Sequence, residues 1–236
     1  HLQHDGLTCP FEGWGMGCAA EWTAGEYEIS RDEQDELAAN SHARAASATS
    51  DGWYKEEIIP LEARQIKQRE DVITDEGVRA DSTTESLGKL RPAFAKEGTV
   101  TAGNASQISD GGAAVLIMSK ESAEQAGATV MATIVDYNTF GVEPKKIFTA
   151  PGLGIEQLLK RNNLTVHDID VFEINEAFAV QVLQNLAHLG INQDNVNIGG
   201  GGVAIGHPIG ASGTRVLVSL LHHLKRTNGK RGIISL

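Results

Sequence analysis

The sequence predicts a layered α/β fold, and three observations support this prediction. Strand-like and helix-like patterns alternate along residues 101–236, as they do in folds where helices cover a sheet. Several apolar runs, such as 169–174 and 232–236, have the length and composition of buried strands. A glycine-rich stretch lies between a predicted strand and a predicted helix, where α/β folds often place their chemistry.

The first hundred residues predict one long helix followed by a polar surface segment. Ser30 and Glu33 have the spacing of a capping box, and the alanine-rich stretch after them is helical to about residue 49. Asp51-Gly52 ends that helix, and the alternating residues 56–60 predict a strand. Residues 62–90 are charged and rich in turn formers, which indicates a surface excursion rather than core.

The second half predicts most of the sheet and its covering helices. A glycine at position 190 is typical of the residue that follows a helix. The predicted strands are 113–118, 129–135, 169–174, 196–198 and 232–236. The predicted helices are 119–127, 152–162, 176–189 and 211–225.

The charge and the cysteine count limit the partners that the protein is expected to have. The formal net charge of −11 argues against a nucleic acid or an anionic membrane surface as partner. No apolar run reaches the roughly 18 residues that indicate a membrane span. Cys9 and Cys18 fit neither a metal site nor a disulfide framework, so we predict no metal and a reducing, cytoplasmic location.

The two ends of the chain suggest that it is an excerpt of a longer protein. The first residue is His1 rather than a start methionine, and no signal peptide pattern follows it. The last residues form a predicted strand that stops at Leu236 without an exit turn. We therefore expect the natural protein to be longer than 236 residues.

The strongest chemical signal is the segment 199–213, which contains seven glycines and one histidine, His207. Glycines allow the backbone to approach a ligand or another chain segment closely, and Pro208 restricts the histidine backbone. A phosphate-binding loop of the dinucleotide type is the alternative, but the glycine spacing does not match GxGxxG. No Gly-Lys-Ser or Gly-Lys-Thr follows, which excludes a Walker loop. A histidine in a narrow catalytic pocket fits the pattern better.

A second signal is Asn175, which stands between a predicted strand and the helix after it. Asparagine in this position can simply cap the helix. Its amide could instead hold a water or a carbonyl oxygen and so contribute to an oxyanion hole. The turn-rich segment 101–106 has no function that its composition alone would indicate.

Together, these segments resemble the thiolase family of acetyl-CoA acetyltransferases and 3-ketoacyl-CoA thiolases, over the C-terminal two-thirds of such proteins. The matching motifs, in the order and spacing of that family, are 101–106 (TAGNAS), 175–178 (NEAF) and 206–213 (GHPIGASG). Earlier segments also match: Met16-Gly17 followed by Ala20-Glu21, then 30–35 (SRDEQD) and 90–94 (LRPAF).

The resemblance implies acetyl transfer between acyl-CoA thioesters, as acetoacetyl-CoA formation or 3-ketoacyl-CoA thiolysis. In this family one cysteine is the acylated nucleophile and a second cysteine is an acid/base. By resemblance, His207 activates the nucleophile and lines the oxyanion hole, and Asn175 holds a water that completes it. The resemblance implies no tightly bound cofactor, since coenzyme A and acyl-CoA are substrates, and a homodimer or homotetramer when complete.

The resemblance also assigns residues to CoA and its acyl group. Ser106 would bind the pantetheine arm, and Arg79 and Ser86 would lie near the nucleotide end. Arg79 also suits an acidic chain that must bind an anionic substrate. Residues expected to line the tunnel or the acyl pocket are Leu7, Met16, Leu90, Phe94, Ala102, Ala177 and Phe178.

The resemblance divides the chain into three parts of a thiolase-like α-β-α-β-α fold that is incomplete here. Residues 1–104 correspond to the latter part of the lid, or CoA-binding loop domain. Residues 105–128 correspond to the closing strand and helix of the N-terminal core half, and 129–236 to a truncated C-terminal half. Neither Cys9 nor Cys18 lies in a catalytic motif of the family, so we expect this chain alone to be inactive.

Two other functions remain open from the sequence. A non-catalytic CoA-binding subunit could act with a partner chain that supplies the nucleophile. A nucleotide-dependent oxidoreductase would require a dinucleotide fingerprint after its first strand, and the sequence contains none. Acyl chain length and the direction of the reaction also remain open.

Overall fold

The computed structural model describes all 236 residues, from His1 to Leu236. The α-helices are α1 (Met16–Glu26), α2 (Arg31–Ser50), α3 (Ala63–Ile66), α4 (Thr84–Gly88), α5 (Lys120–Gln125), α6 (Ala150–Arg161), α7 (Ala179–Leu189), α8 (Gly202–Ile205) and α9 (Ser212–Thr227). The strands are β1 (Val171–Ile174) and β2 (Gly232–Ser235). Three 3-10 segments and one π turn complete the elements: Trp53–Glu56, Pro144–Thr149, Val166–Asp168 and Leu2–Gly6. None of the helices is both long and apolar enough to cross a lipid bilayer.

The sheet consists of β1 and β2, which run parallel with Val171 opposite Gly232 and Ile174 opposite Ser235. Val196 adds one parallel bridge to Phe172 on the other side of β1. Because successive strand residues point to opposite faces, β1 presents two different surfaces to its neighbours. This arrangement confirms the predicted α/β class.

One face of the sheet packs against α2, α6 and α7 through an apolar cluster. Every member of the cluster is buried, and β1 contributes its even-numbered residues. The cluster comprises Leu37, Ile155, Leu159, Ile169, Phe172, Ile174, Ala179, Val182, Leu186 and Val196.

The opposite face of the sheet packs against α9. Leu220 lies so close to Gly232 that a Cβ on the glycine would stand 2.5 Å from the leucine Cδ1. Glu173 of β1 and His223 of α9 are both fully buried, with Oε1 and Nδ1 2.8 Å apart. The strands are therefore covered by helices on both faces, as in an α/β layered fold.

The helix ends follow the predicted capping signals. The Ser30 hydroxyl accepts a hydrogen bond from the Glu33 backbone N–H, and the Glu33 carboxylate accepts one from the Ser30 backbone. Gly52 and Gly190 adopt φ values of 74° and 64° beyond the ends of α2 and α7, a conformation that glycine tolerates best. These boundaries are confirmed.

The predicted strands 113–118 and 129–135 are wrong. Both segments are free of regular secondary structure, and no other part of the chain forms backbone hydrogen bonds with them. An apolar run becomes a strand only when a neighbouring strand pairs with its backbone. Their large apolar side chains are instead exposed: Leu116, Ile117, Met118, Val130, Met131, Ile134 and Val135.

Three further predictions need correction. Residues 56–60 form no strand, because the Ile58 N–H bonds back to the Tyr54 carbonyl and continues the preceding turn. The strand at 196–198 is reduced to the single bridge at Val196. The helix predicted from residue 176 begins at Ala179, since the residues before it pair with another segment. The sequence does not predict helices α1, α3, α4 and α8.

Candidate active site

The three sequence motifs that were singled out lie next to one another in the structure. The Ser106 backbone N–H donates to the Ala177 carbonyl at 3.0 Å, and the Ala179 N–H donates to the Asn104 carbonyl at 2.8 Å. The Gly202 Cα stands so close to Glu176 that an added Cβ would lie 2.6 Å from its carbonyl oxygen. Segments 101–106, 175–178 and 199–206 therefore form one continuous region.

Glu176 joins this region to the long helix α2. Its carboxylate accepts hydrogen bonds from Ser41 Oγ at 2.7 Å, Asn197 Nδ2 at 2.9 Å and the Val203 backbone N–H at 3.1 Å. The side chain is buried, and desolvation raises the pKa of the Glu176 carboxyl despite these donors. A Cβ at Gly201 would lie 2.3 Å from the Glu176 carboxyl carbon, so the glycine lets the loop reach the carboxylate.

His207 is held by the first residue of α9. Its Nδ1 lies 2.6 Å from Ser212 Oγ, and that hydroxyl donates its one hydrogen to the Pro208 carbonyl at 3.0 Å. The hydroxyl must then accept a hydrogen bond from Nδ1–H. This assigns the neutral Nδ1–H tautomer to His207 and leaves the lone pair of Nε2 free to accept a proton.

Asn175 faces that free nitrogen. Its Nδ2 lies 3.4 Å from His207 Nε2, a long contact, and its Oδ1 accepts a hydrogen bond from Arg215 Nη2 at 3.2 Å. Asn175 does not cap the following helix, because Phe178 occupies the N-cap position. The capping alternative is therefore wrong, and the buried amide is available to the site.

The surroundings keep the imidazole neutral. Desolvation lowers the pKa of His207 from its usual value of 6.5, and the nearby charge of Arg215 lowers it further. A neutral imidazole with a free Nε2 can act as a general base near neutral pH. Once protonated, the same nitrogen becomes a hydrogen-bond donor for a developing oxyanion.

Sequence reasoning missed the roles of Ser212 and Arg215. Both lie in the first turn of α9, three residues apart, and so project on the same side of the helix. A serine and an arginine at this spacing directly after the His207 loop are the signal that could have identified them.

Several residues expected in the CoA tunnel or the acyl pocket come together around Phe178. The ring centroid of Phe178 lies 6.0 Å from that of Phe94 and 5.4 Å from that of Phe148. Met16 and Ala177 pack against the same cluster. Ser106 lies next to this group through its backbone hydrogen bond to Ala177.

Other expected binding residues lie apart from that cluster or touch only its border. Leu7 contacts Met16 through a backbone hydrogen bond, and Leu90 lies against Gly103, next to the exposed Ala102. The Ser86 side chain caps its own short helix. Arg79 donates its backbone N–H to His42 Nδ1 and has no side-chain hydrogen bond or salt bridge that would draw it to the site.

Neither cysteine is hydrogen-bonded to His207. Cys9 is buried, and Cys18 lies in α1 with intermediate exposure. The ring nitrogens of His207 have Ser212 and Asn175 as their partners, and neither thiol is among them. The site therefore contains a base, His207, and an amide donor, Asn175. No cysteine of the chain is hydrogen-bonded to His207 as a nucleophile would be.

Comparison with family models yields two matches that together account for most of the chain. Residues 1–121 match the thiolase N-terminal domain, and residues 128–236 match the thiolase C-terminal domain. A probable acetyl-CoA acyltransferase of Staphylococcus aureus is 47% identical over 224 residues, which cover 94% of this chain and 57% of that protein. The chain thus spans less than three fifths of the length of this curated relative.

Solved structures show the same likeness. The Bacillus anthracis acetyl-CoA acetyltransferase superposes with a TM-score of 0.92 at 42% identity, over 97% of this chain and 58% of that one. The human mitochondrial 3-ketoacyl-CoA thiolase in complex with CoA superposes with a TM-score of 0.88 at 34% identity, over 97% and 57% of the two chains.

Proposed function

The chain belongs to the thiolase family, and from this premise we propose that its complete gene product transfers acetyl groups between acyl-CoA thioesters. The observation that carries the proposal is the convergence of His207 Nε2 and Asn175 Nδ2, 3.4 Å apart, beside an apolar surface. A free base nitrogen and an amide donor are what attack on a thioester carbonyl requires.

In the proposed reaction His207 acts first as a base. Nε2 removes the proton of a cysteine thiol that the complete protein supplies, and the thiolate attacks the thioester carbonyl. Nε2–H then donates to the carbonyl oxygen as it becomes negative, and the Asn175 amide supplies a second donor through a water. Collapse of the intermediate expels CoA thiolate and leaves the acyl group on the cysteine.

The substrate-binding roles rest on the resemblance together with the position of each residue. Met16, Phe94, Ala177 and Phe178 would contact the pantetheine arm and the acyl group, with Ser106 as a hydrogen-bonding partner. Leu7, Leu90 and Ala102 would extend this surface. Arg79 and Ser86, both exposed, would face the nucleotide end, where Arg79 supplies positive charge.

The absence of a thiol beside His207 supports a second candidate, a CoA-binding subunit whose catalytic cysteine lies on a partner chain. In that case the gene product would bind CoA but would show no thiolysis until the partner was added. The two candidates differ in where the nucleophile is encoded.

The test is a thiolysis assay on the complete gene product. We expect it to consume acetoacetyl-CoA in the presence of free CoA, with a kcat of about 1–1,000 s⁻¹. Prior treatment with iodoacetamide should abolish the activity, and acetyl-CoA should protect against that treatment, because the acylated cysteine cannot be alkylated. A pure, folded gene product that binds CoA without thiolysis would contradict the first candidate and favour the second.

A further inference from the structure

Arg215 occupies an unusual position for a cation, beside the site and without a carboxylate partner. Its Nη2 donates to Asn175 Oδ1 at 3.2 Å, while its Nε and Nη1 are buried without a hydrogen-bond partner. None of the salt bridges of the chain involves this residue. The residue as a whole is half-buried, but burying two guanidinium nitrogens without acceptors is costly, so a structural role in stability alone does not account for their position.

The contact with Arg215 determines which way the amide of Asn175 points. A guanidinium can only donate hydrogen bonds, so the oxygen of the amide must face Arg215 and the NH2 group must face His207 Nε2. The Asn175 side chain has only these two hydrogen-bond partners. Without Arg215, nothing in the structure would prevent the amide from turning its oxygen towards Nε2.

A reversed amide would defeat the chemistry of the site. The Asn175 oxygen would then oppose the lone pair of Nε2, and the amide could no longer supply the second donor for a negative oxygen. The same helical turn therefore restrains both groups, with Ser212 bonded to His207 Nδ1 and Arg215 bonded to Asn175 Oδ1.

We propose that Arg215 is a positioning residue of the acyl-transfer site, which fixes the amide of Asn175 with its NH2 group towards His207 Nε2. The catalytic consequence rests on the proposed function, whereas the orientation of the amide rests on the hydrogen bonds of Asn175. Arg215 acts through Asn175 and does not itself touch the reacting thioester.

A double-mutant cycle on the complete protein tests the inference. Arg215→Met should lower kcat for acetoacetyl-CoA thiolysis about 30-fold, less than the roughly 100- to 1,000-fold loss when an oxyanion-hole donor is removed outright, because the amide itself remains, and should change KM less than about 2-fold. In an Asn175→Ala background the same substitution should cost less than about 3-fold, since its target is gone. Equal losses in the two backgrounds would overturn the proposal.

Two further variants distinguish a loss of kcat caused by a mispositioned Asn175 amide from a loss caused by general destabilisation of the protein. Arg215→Lys keeps a donor and the charge, so it should recover part of the lost kcat. Arg69→Met removes an exposed arginine that has no side-chain partner and should leave kcat within about 2-fold of the original. A loss with Arg215→Lys as large as that with Arg215→Met would also contradict the proposal.

A spectroscopic readout decides the inference even if thiolysis is never observed. In protein labelled with ¹⁵N in asparagine and histidine, Arg215→Met should shift the Asn175 side-chain amide resonances and raise the pKa of His207. The other titratable groups on which the charge of Arg215 acts are Asp75, Glu176 and Tyr54. Unchanged Asn175 resonances together with an unchanged His207 pKa would overturn the inference. Failure of the proposed function would appear instead as an inactive wild type.

Discussion

Replacement of His207 by alanine in the complete protein is expected to lower kcat for acetoacetyl-CoA thiolysis about 1,000-fold or more. The large effect follows from the tautomer that Ser212 enforces. Because Nδ1–H is bonded to the Ser212 hydroxyl, Nε2 alone must accept the thiol proton and then donate to the oxyanion. One substitution therefore removes a general base and an oxyanion donor together.

The control for this variant is His167→Ala. His167 lies in the exposed 3-10 turn Val166–Asp168, and its ring has no hydrogen-bond partner in the chain, so its removal should leave kcat within about 2-fold. CoA binding and the far-ultraviolet circular dichroism of both variants should match the unaltered protein. A His207→Ala variant that keeps more than about a tenth of the activity would show that another group is the base.

Gly200→Ala is expected to lower the free energy of unfolding by about 3 kcal/mol or more. Gly200 has a φ of 88°, where a side chain strains the backbone. An added Cβ would also lie 2.6 Å from the Ser41 carbonyl oxygen and 2.8 Å from the Ala45 backbone nitrogen. Both are atoms of α2, so neither can move aside without displacing the helix. Thermal unfolding should therefore occur roughly 6–12 °C lower.

Gly210→Ala is the matched control, since it lies in the same glycine-rich segment and a Cβ there would meet no atom within 4 Å. Its unfolding free energy should stay within about 0.5 kcal/mol of the original. If Gly200→Ala unfolds at the same temperature as Gly210→Ala, then the close approach of the loop to α2 is not a feature of the folded protein. Failure of Gly200→Ala alone to fold would agree with the expectation.

The sequence predicted correctly those features of the fold, such as helix ends, that depend only on residues close together in the chain. The capping box at Ser30 and the left-handed glycine at 190 are set by contacts within four residues, and both are confirmed. The strand 171–174 was also found, because its buried run is bounded by turn residues on one side and by Asn175 on the other.

Predictions that depend on distant partners failed. Residues 113–118 and 129–135 have apolar composition, but a strand requires a second strand whose position the local pattern does not encode. Helix α1 was missed because glycine and aromatic residues mask its periodicity, although its buried residues Ala19, Ala20 and Ala24 pack in the apolar cluster that also contains Phe148 and Phe178.

The candidate site was predictable in part. The glycines around His207 and the position of Asn175 after a strand indicated both residues, and the structure brings them to 3.4 Å. The spacing of Ser212 and Arg215 after the His207 loop is visible in the sequence, but the hydrogen bonds that they form depend on how α9 is oriented towards that loop. The domain boundaries and the individual CoA contacts stay predictions.

We propose that this chain carries the base and the oxyanion donors of a thiolase whose acylated cysteine lies outside residues 1–236. The most direct measurement is peptide mapping by mass spectrometry after brief incubation of the complete gene product with acetyl-CoA. We expect one acetyl thioester per chain on a cysteine other than Cys9 and Cys18, and its formation should slow about 1,000-fold in His207→Ala. Acetylation of Cys9 or Cys18, or no thioester in a folded protein that binds CoA, would contradict the account.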